Sequence, residues 1–254
     1  MRGMSTMSLI LAISTASVLL SGTAGAGYTN VNGPHPGEAS VLHIINTIYA
    51  TTFNPVGTPT GVGANTKYDN GLGLALTRVS DFGLGGSLNI LTGTPTSADD
   101  QFWSDGRATA RAMAKYAGFG QSFGLGKPYA EKLFVSVPGG PNFLGGGPSS
   151  AFNTGANFVW GRADNAGGAN TWFSDELTSA ARDGRDHLVT YQVTGLPTNA
   201  TVWLLFWEDN IYPNGDFDFN DLVVEVRAVP VPGAALLGVI GLAMVSRLRR
   251  SLSA

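Results

Sequence analysis

The hydrophobic pattern of the chain is most pronounced at Thr201–Trp207, an unbroken run of apolar, β-branched and aromatic residues. A short run without a polar face predicts a strand that is buried on both sides of a sheet. Leu222–Arg227 alternates instead, with Leu222, Val224 and Val226 on one face and Val223, Glu225 and Arg227 on the other. We therefore predict a hairpin of two strands, around which the remaining chain is organised.

The rest of the chain contains one helical pattern and many short strand patterns. Glu38–Phe53 carries apolar residues at helical spacing, which predicts an amphipathic helix, and Asn54–Asn70 is predicted to be a loop. Further strands are predicted at Leu72–Val79, Ser87–Leu91, Ala108–Tyr116, Leu133–Val137, Asn157–Trp160 and His187–Thr194. With 35 glycines and 13 prolines to form turns, this pattern predicts one all-β domain, a jelly-roll-like β-sandwich with one short N-terminal helix.

The first residues are typical of a secretory signal peptide. Met1–Ala26 has a positive start at Arg2, an apolar helix-forming stretch at Leu9–Leu20 and small residues before Gly27. The apolar stretch is short for a membrane span, although a retained anchor is the alternative. We place the mature start near Gly27, the sandwich domain at residues 27–229 and a C-terminal tail at residues 230–250.

The turn of the predicted hairpin is strongly acidic. It places five carboxylates within fourteen residues: Glu208, Asp209, Asp216, Asp218 and Asp221. Two ionised carboxylates about 5 Å apart repel each other by about 3 kcal/mol at an effective dielectric constant near 20. A folded loop must therefore expose these groups to water, protonate some of them or hold a cation among them.

The spacing of the turn favours a cation. Asp216, Asp218 and Asn220 alternate with Phe217 and Phe219, so in an extended chain the oxygens share one face and the rings the other. Calcium takes six to eight oxygen ligands and suits a mixed set of carboxylate, amide and backbone donors. We predict one calcium ion bound by Glu208, Asp209, Asp216, Asp218 and Asp221, with Asn220 or backbone carbonyls completing the set.

The turn does not match an EF-hand loop. After D-x-D-x-N that loop requires glycine, where this chain has Asp221, and it ends on a bidentate glutamate, where this chain has Arg227. A solvated acidic turn is therefore the alternative to a metal site, because runs of charge usually lie on the solvated surface.

The hairpin resembles the C-terminal signature of a bacterial family, domain-of-unknown-function family 4114. In that signature an apolar strand ending in E-D is followed by an F-N-D-L-V turn, as in Glu208-Asp209 and Phe219–Val223 here. The resemblance extends to Asp183–Gly195 and Trp103–Ala112. It implies a secreted β-sandwich domain of a kind suspected of binding calcium, and it brings no catalytic activity.

The C-terminal tail resembles a PEP-CTERM sorting signal. Val229-Pro230-Val231-Pro232 is followed by an apolar stretch to Val245 and by the basic residues Arg247, Arg249 and Arg250. The resemblance implies a hydrophobic helix held transiently in the inner membrane, processing by an exosortase-type enzyme, and release to the cell surface or its polysaccharide matrix. The sequence departs from the commonest motif because Val231 stands in place of glutamate. A plain tail anchor is the alternative.

Composition excludes cysteine chemistry, and charge argues against nucleic acid as a partner. The chain has no cysteine, so neither a disulfide framework nor thiolate catalysis applies. Four of the 15 lysines and arginines lie in the terminal segments, whereas all 18 acidic residues lie in the domain. The mature domain is therefore acidic and would repel nucleic acid.

Two alternative functions use other residues. A carbohydrate-binding module would stack sugars on exposed tryptophans, among which Trp172 is the best candidate, because Trp203 and Trp207 lie on the predicted core strand. A secreted serine hydrolase would use Ser122 in a G-x-S-x-G motif, followed by Asp183 and His187. That motif requires a strand, a tight turn and a helix, and Leu125–Pro128 does not favour a helix.

The first testable prediction concerns processing in the native host. We expect the mature protein to begin close to Gly27 and to lose the tail from about Val231 when the exosortase is present. N-terminal sequencing and the intact mass of the extracellular form measure both ends. Surface material that retains Met1 would contradict the signal peptide, and a retained Arg249-Arg250 end would identify the tail as an anchor.

Overall fold

A computed structural model describes residues 26–104, 106–126, 132–154, 157–164, 171–175, 183–198, 200–211 and 213–229. All but the last residue of the predicted signal peptide, and the sorting tail from Pro230 onward, lie outside these residues. Within them the chain forms helix α1 at Val41–Tyr49 and fifteen strands. The strands are β1 Asn54–Pro59, β2 Asn65–Asp69, β3 Ala75–Arg78, β4 Leu88–Asn89, β5 Trp103–Ser104, β6 Gly106–Lys115, β7 Gln121–Gly126, β8 Lys132–Val137, β9 Phe143–Leu144, β10 Ser149–Thr154, β11 Val159–Asp164, β12 Thr171–Phe173, β13 Leu188–Thr194, β14 Val202–Trp207 and β15 Leu222–Ala228.

Two antiparallel sheets account for most of these strands. The larger runs in the order β1-β2-β3-β13-β14-β15-β6-β10, with β9 also paired to β6. The smaller runs in the order β12-β11-β7-β8, and β4 and β5 form a separate parallel pair. The predicted all-β class and sandwich architecture are therefore confirmed. No helix in the described ranges has the length and apolar character needed to cross a membrane.

Strand β14 lies at the centre of the larger sheet and is buried on both faces, as its sequence predicts. Trp203, Leu205 and Trp207 belong to the core between the two sheets. Val202, Leu204 and Phe206 belong to a second core on the opposite face. In β15 the two sets of side chains also divide as predicted, with Val224 in the first core and Val223 in the second.

Helix α1 covers the second core and is shorter than predicted. The Ser40 side chain caps its first turn by accepting a hydrogen bond from the His43 amide at 3.2 Å. The helix ends at Ala50, which adopts a left-handed conformation with φ of 49°. Because the helix begins after the cap, Glu38 lies in the preceding segment and is available to the hairpin loop.

The predicted loop at Asn54–Asn70 is instead a hairpin of β1 and β2 at the edge of the larger sheet. Every residue of β1 is exposed. The strand therefore lacks the alternation of apolar and polar residues by which a half-buried strand is recognised in a sequence. Its position at the edge also tolerates Pro55 and Pro59, because an edge strand leaves some amide positions unpaired.

The central hairpin forms in the predicted place. Strands β14 and β15 pair in antiparallel register from Val202 opposite Arg227 to Trp207 opposite Leu222. Residues 208–221 connect them, so the acidic turn lies where the most buried strand of the protein ends. We call this connection the hairpin loop.

The second prediction tests the burial of β14 on both faces. Replacing Leu204 or Leu205 by alanine should each lower the free energy of unfolding by about 2–5 kcal/mol, because each deletes buried methyl groups. A strand with one solvated face would tolerate one of the two changes. Leu72→Ala is the control, since Leu72 is 87% exposed and should change stability by less than about 0.5 kcal/mol. Denaturant unfolding of the full chain measures all three.

Candidate metal centre

The N-terminal segment of the domain holds the hairpin loop in place. The amide of Asn32 donates to the Phe217 carbonyl at 2.8 Å, and its side chain donates to the Asp216 carbonyl. The amide of His35 donates to Asp218 Oδ2 at 3.1 Å. Gly215 allows the loop to approach Glu208, because a Cβ there would lie 3.0 Å from Glu208 Oε1.

The loop reaches its conformation by a different route from the expected extended strand. Phe217 and Phe219 both have left-handed backbone conformations, with φ of 55° and 60°. Such conformations are uncommon for aromatic residues and persist only where the surroundings impose them. Both rings are nevertheless buried in the core under helix α1. The rings thus anchor the loop as predicted, although the backbone is not extended.

The structure divides the predicted calcium ligands into two groups. The inner group consists of Glu208, Asp209 and Asp221, each of which offers an oxygen within 4.8 Å of the other two. Backbone amides orient two of them: Asn210 donates to Glu208 Oε1 at 3.0 Å, and Asp209 donates to Asp221 Oδ2 at 2.8 Å. All three carboxylates are buried.

The outer group consists of Asp216, Asp218 and Glu38, again with oxygens within 4.8 Å of one another. Asn220 links this group to the N-terminal segment, because its side-chain amide donates to Asp218 Oδ2 at 2.7 Å and to the Ala39 carbonyl at 3.1 Å. Glu38 is the acidic residue that sequence reasoning missed. It lies 170 positions before the start of the loop, and no local spacing connects the two.

The outer group has access to solvent. An open cleft of about 410 Å³ adjoins it, lined by Pro34, Gly37, Glu38, Ala39, Ser40, His43 and Tyr116. Asp216 and Glu38 are themselves partly exposed. An ion could therefore reach the outer group from the surface without opening the core.

Cationic and neutral donors satisfy one side of the inner group. Arg162 Nη2 lies 3.3 Å from Asp209 Oδ2, and Gln121 Nε2 donates to the same oxygen at 2.8 Å. Trp172 Nε1 donates to the Asp209 carbonyl at 3.0 Å. Lys115 also attracts Asp209 and Asp221. Arg162 and Lys115 thus offset part of the negative charge of the inner group.

Burial and mutual repulsion oppose ionisation of these carboxyl groups. The pKa of Glu208 is raised to about 8, chiefly by burial and further by Asp216, Asp209 and Asp218. The pKa of Asp218 is raised to about 7 by burial and by Asp216. Burial and the neighbouring Asp209 and Glu208 raise the pKa of Asp221 well above its usual value. Without a cation, several of these groups therefore keep protons near neutral pH.

Three buried oxygens of the inner group and of Asn220 lack a hydrogen-bond donor among the described residues. They are Glu208 Oε2, Asp209 Oδ1 and Asn220 Oδ1. Most buried polar atoms in proteins have a partner, so a cluster of exceptions calls for an explanation. Oxygens without donors are suited to contact a hard cation.

No family model and no curated protein matches the chain. A lectin of Chromobacterium violaceum, solved with α-methyl-fucoside, is similar at 14% identity and a TM-score of 0.33, over 53% of this chain and 99% of its own. The C-terminal domain of the BC2L-C lectin of Burkholderia cenocepacia (15% identity, 52% of this chain and 97% of its own) and a high-affinity mannose-binding lectin of Ralstonia solanacearum (16%, 53% and 99%) also have TM-scores of 0.33. A likeness this low implies nothing about what this chain binds.

The expectation that Trp172 is exposed is wrong. Its ring is fully buried and stacks on His187, with centroids 3.6 Å apart and an interplanar angle of 5°. The other tryptophans, Trp103, Trp160, Trp203 and Trp207, are also fully buried in the core. Tryptophan stacking therefore cannot provide a sugar-binding surface.

The hydrolase motif does not form a nucleophile elbow. Ser122 lies inside strand β7, paired opposite Ser136 of β8 and Ala163 of β11. An elbow requires the serine on a sharp turn between a strand and a helix. His187 and Asp183 do approach each other at 3.3 Å, but burial lowers the pKa of His187 to about 4. This pair therefore has a structural role beside Trp172.

The third prediction concerns the pH dependence of the metal-free protein. The pKa of Glu208 rises from 4.5 to about 8 on folding, so between these values the unfolded chain releases a proton that the folded chain keeps. Stability in chelator is therefore lost as the pH rises through this window. Glu208→Gln cannot release that proton and should gain stability relative to wild type by up to about 1.4 kcal/mol per pH unit. Melting curves of both proteins at pH 5.5–8 measure the difference, and a constant difference would contradict the raised pKa.

Proposed function

We propose that the protein is an exported, non-enzymatic β-sandwich that binds calcium in its hairpin loop. The observation that carries the proposal is the set of three buried oxygens that find no donor in the described part of the chain, Glu208 Oε2, Asp209 Oδ1 and Asn220 Oδ1. They belong to residues selected from the sequence as ligands, and they lie among two groups of clustered carboxylates. Oxygen donors alone, with several carboxylates, are the set that calcium prefers.

Calcium would act here as a structural ion. The inner group, Glu208, Asp209 and Asp221, closes the end of the β14–β15 hairpin, and the outer group joins the loop to Glu38 in the N-terminal segment. A bound dication would offset the burial and the repulsion that raise the pKa of Glu208 and Asp218. It would thereby stabilise the contact between the first residues of the mature domain and its central hairpin.

Export and sorting belong to the same proposal and rest on the two terminal segments. The signal peptide at Met1–Ala26 would deliver the chain to the envelope. The tail after Val229 would hold it transiently in the inner membrane until an exosortase-type enzyme releases it to the cell surface or extracellular matrix. Val229 follows β15 directly, and its amide donates to the Arg107 carbonyl at 2.7 Å. Cleavage beyond this point would leave every strand of the sandwich intact.

Carbohydrate binding is the second candidate function, with a surface polysaccharide as the partner. It is favoured by Phe102, which is 38% exposed and lines an open cleft of about 570 Å³ together with Asp99 and Gln101. An exposed aromatic ring beside carboxylate and amide groups has the two elements that sugar recognition uses, an apolar face and polar edges. The lectins similar to this chain add no support, for the reason given above.

The fourth prediction tests the calcium site with two variants. Glu208→Gln keeps the oxygen that accepts from Asn210, and Asp216→Asn removes a charge from the outer group. Calcium at 100 times its dissociation constant adds about 2.7 kcal/mol, which should raise the wild-type melting temperature by about 5–10 °C. We expect each variant to lose the part of this shift that the hairpin loop contributes, because each removes a charged ligand. Magnesium should stabilise the wild type less, because it keeps its waters.

The buffers and the control make the result specific. In chelator at pH 7 Asp216→Asn should be neutral or mildly stabilising, because repulsion among the remaining carboxylates falls. Glu208→Gln should show only the pH-dependent gain of the third prediction. Asp69→Asn serves as the matched control, since Asp69 is a partly exposed carboxylate on β2 that accepts from the Gly71 amide. Equal calcium shifts in wild type, control and both variants would identify the loop as a solvated acidic turn.

A further inference from the structure

A further group of clustered carboxylates, separate from the inner and outer groups, lies beside strands β3 and β13 of the larger sheet. Asp81 follows β3, Asp186 precedes β13 and Asp100 lies before β5. One oxygen from each lies within 4.8 Å of the others, and all three residues are buried, with Asp81 and Asp100 fully so. The sequence gives no sign of this group, because its members are distributed over more than 100 positions.

Hydrogen-bond donors satisfy only part of this group. Asp81 Oδ2 accepts from Arg78 Nη2 at 2.6 Å and from the Thr29 amide at 2.5 Å. The Asp186 oxygens accept from the Thr29 hydroxyl at 3.1 Å and the Leu188 amide at 3.0 Å. No donor among the described residues reaches Asp81 Oδ1 or either oxygen of Asp100.

A fourth residue, which is not acidic, points to a ligand independently. Thr190 on β13 is fully buried, and its hydroxyl oxygen has no hydrogen-bond partner among the described residues. The hydroxyl lies near the Asp100 carboxyl but outside hydrogen-bonding geometry. A threonine hydroxyl buried without a partner is costly, and a cation shared with Asp100 would remove that cost.

The charge balance of the group also favours a cation. Arg78 faces all three carboxylates and forms its ion pair with Asp81. If the three carboxylates ionise, the Arg78 ion pair offsets one of their three negative charges. One divalent cation would balance the site.

We propose that Asp81, Asp100, Asp186 and the Thr190 hydroxyl form a second divalent-cation site, separate from the hairpin loop, that binds calcium. All of its donors are oxygens, without the nitrogen or sulfur ligands that favour zinc or copper. Asp186 also lines an open cleft of about 320 Å³ together with Thr29 and Arg185, so one member of the group adjoins the surface. This inference does not depend on the hairpin loop binding calcium.

Counting bound calcium in matched variants of the full chain tests this inference. Asp100→Asn removes a charge at nearly constant volume, and Thr190→Val removes the hydroxyl while keeping the shape of the side chain. Equilibrium dialysis with elemental analysis should show that Asp100→Asn loses one calcium per chain, both in the wild type and in the Glu208→Gln background. Thr190→Val should weaken binding of the same ion. Glu208→Gln alone should leave this ion bound.

The outcomes separate this site from the hairpin loop. Loss of one calcium in Asp100→Asn, with the hairpin ion retained, supports the second site. If all calcium binding depends on Asp100 and none on Glu208, the second site stands and the hairpin site fails. If Asp100→Asn melts like wild type in chelator and still binds the wild-type amount of calcium, the carboxylates share protons and the inference is wrong. If Asp100→Asn does not fold, an unchanged calcium affinity in Thr190→Val overturns it.

Discussion

The structure depends on one constraint: the fold buries acidic side chains that carry negative charge in water. Strand β14 is buried on both faces, so the residues that follow it begin inside the protein, and Glu208 and Asp209 are carried in with it. Burial disfavours an ionised carboxyl group, and neighbouring carboxylates disfavour it further. The hairpin loop therefore requires protons, cationic side chains or metal ions, and Arg162 supplies only part of that charge.

Two buried aromatic rings explain why the loop is held in a fixed shape despite this repulsion. Phe217 and Phe219 bury their rings beneath helix α1, and the apolar contacts they make favour folding. The two left-handed backbone conformations at these positions oppose it. Because the rings are anchored, Asp216 and Asp218 cannot turn away to separate their charges. The packing of the aromatic residues thus keeps the carboxylates close together, and a cation would reduce the repulsion between them.

Local sequence patterns predicted the central hairpin, but they could not predict contacts between residues that lie far apart in the sequence. The alternation of β15 and the apolar run of β14 placed both strands correctly, because side-chain periodicity follows directly from burial. Strand β1 was missed because an exposed edge strand has no such periodicity. Glu38 and the group around Asp100 were missed for a different reason. Their partners are brought close by the sheet order, which no spacing in the sequence encodes.

The segment that follows the predicted cleavage site connects the two acidic regions. Thr29 donates to Asp81 and Asp186 in one region, while His35 donates to Asp218 in the other. Each of these donors gains from a carboxylate that is ionised, since a charged acceptor forms the stronger hydrogen bond. Protonation of the acids without a cation weakens both attachments, whereas a bound dication keeps the acids ionised. Cation binding at either region would therefore strengthen the docking of the same N-terminal segment, and the two proposed sites would be coupled through one stretch of chain.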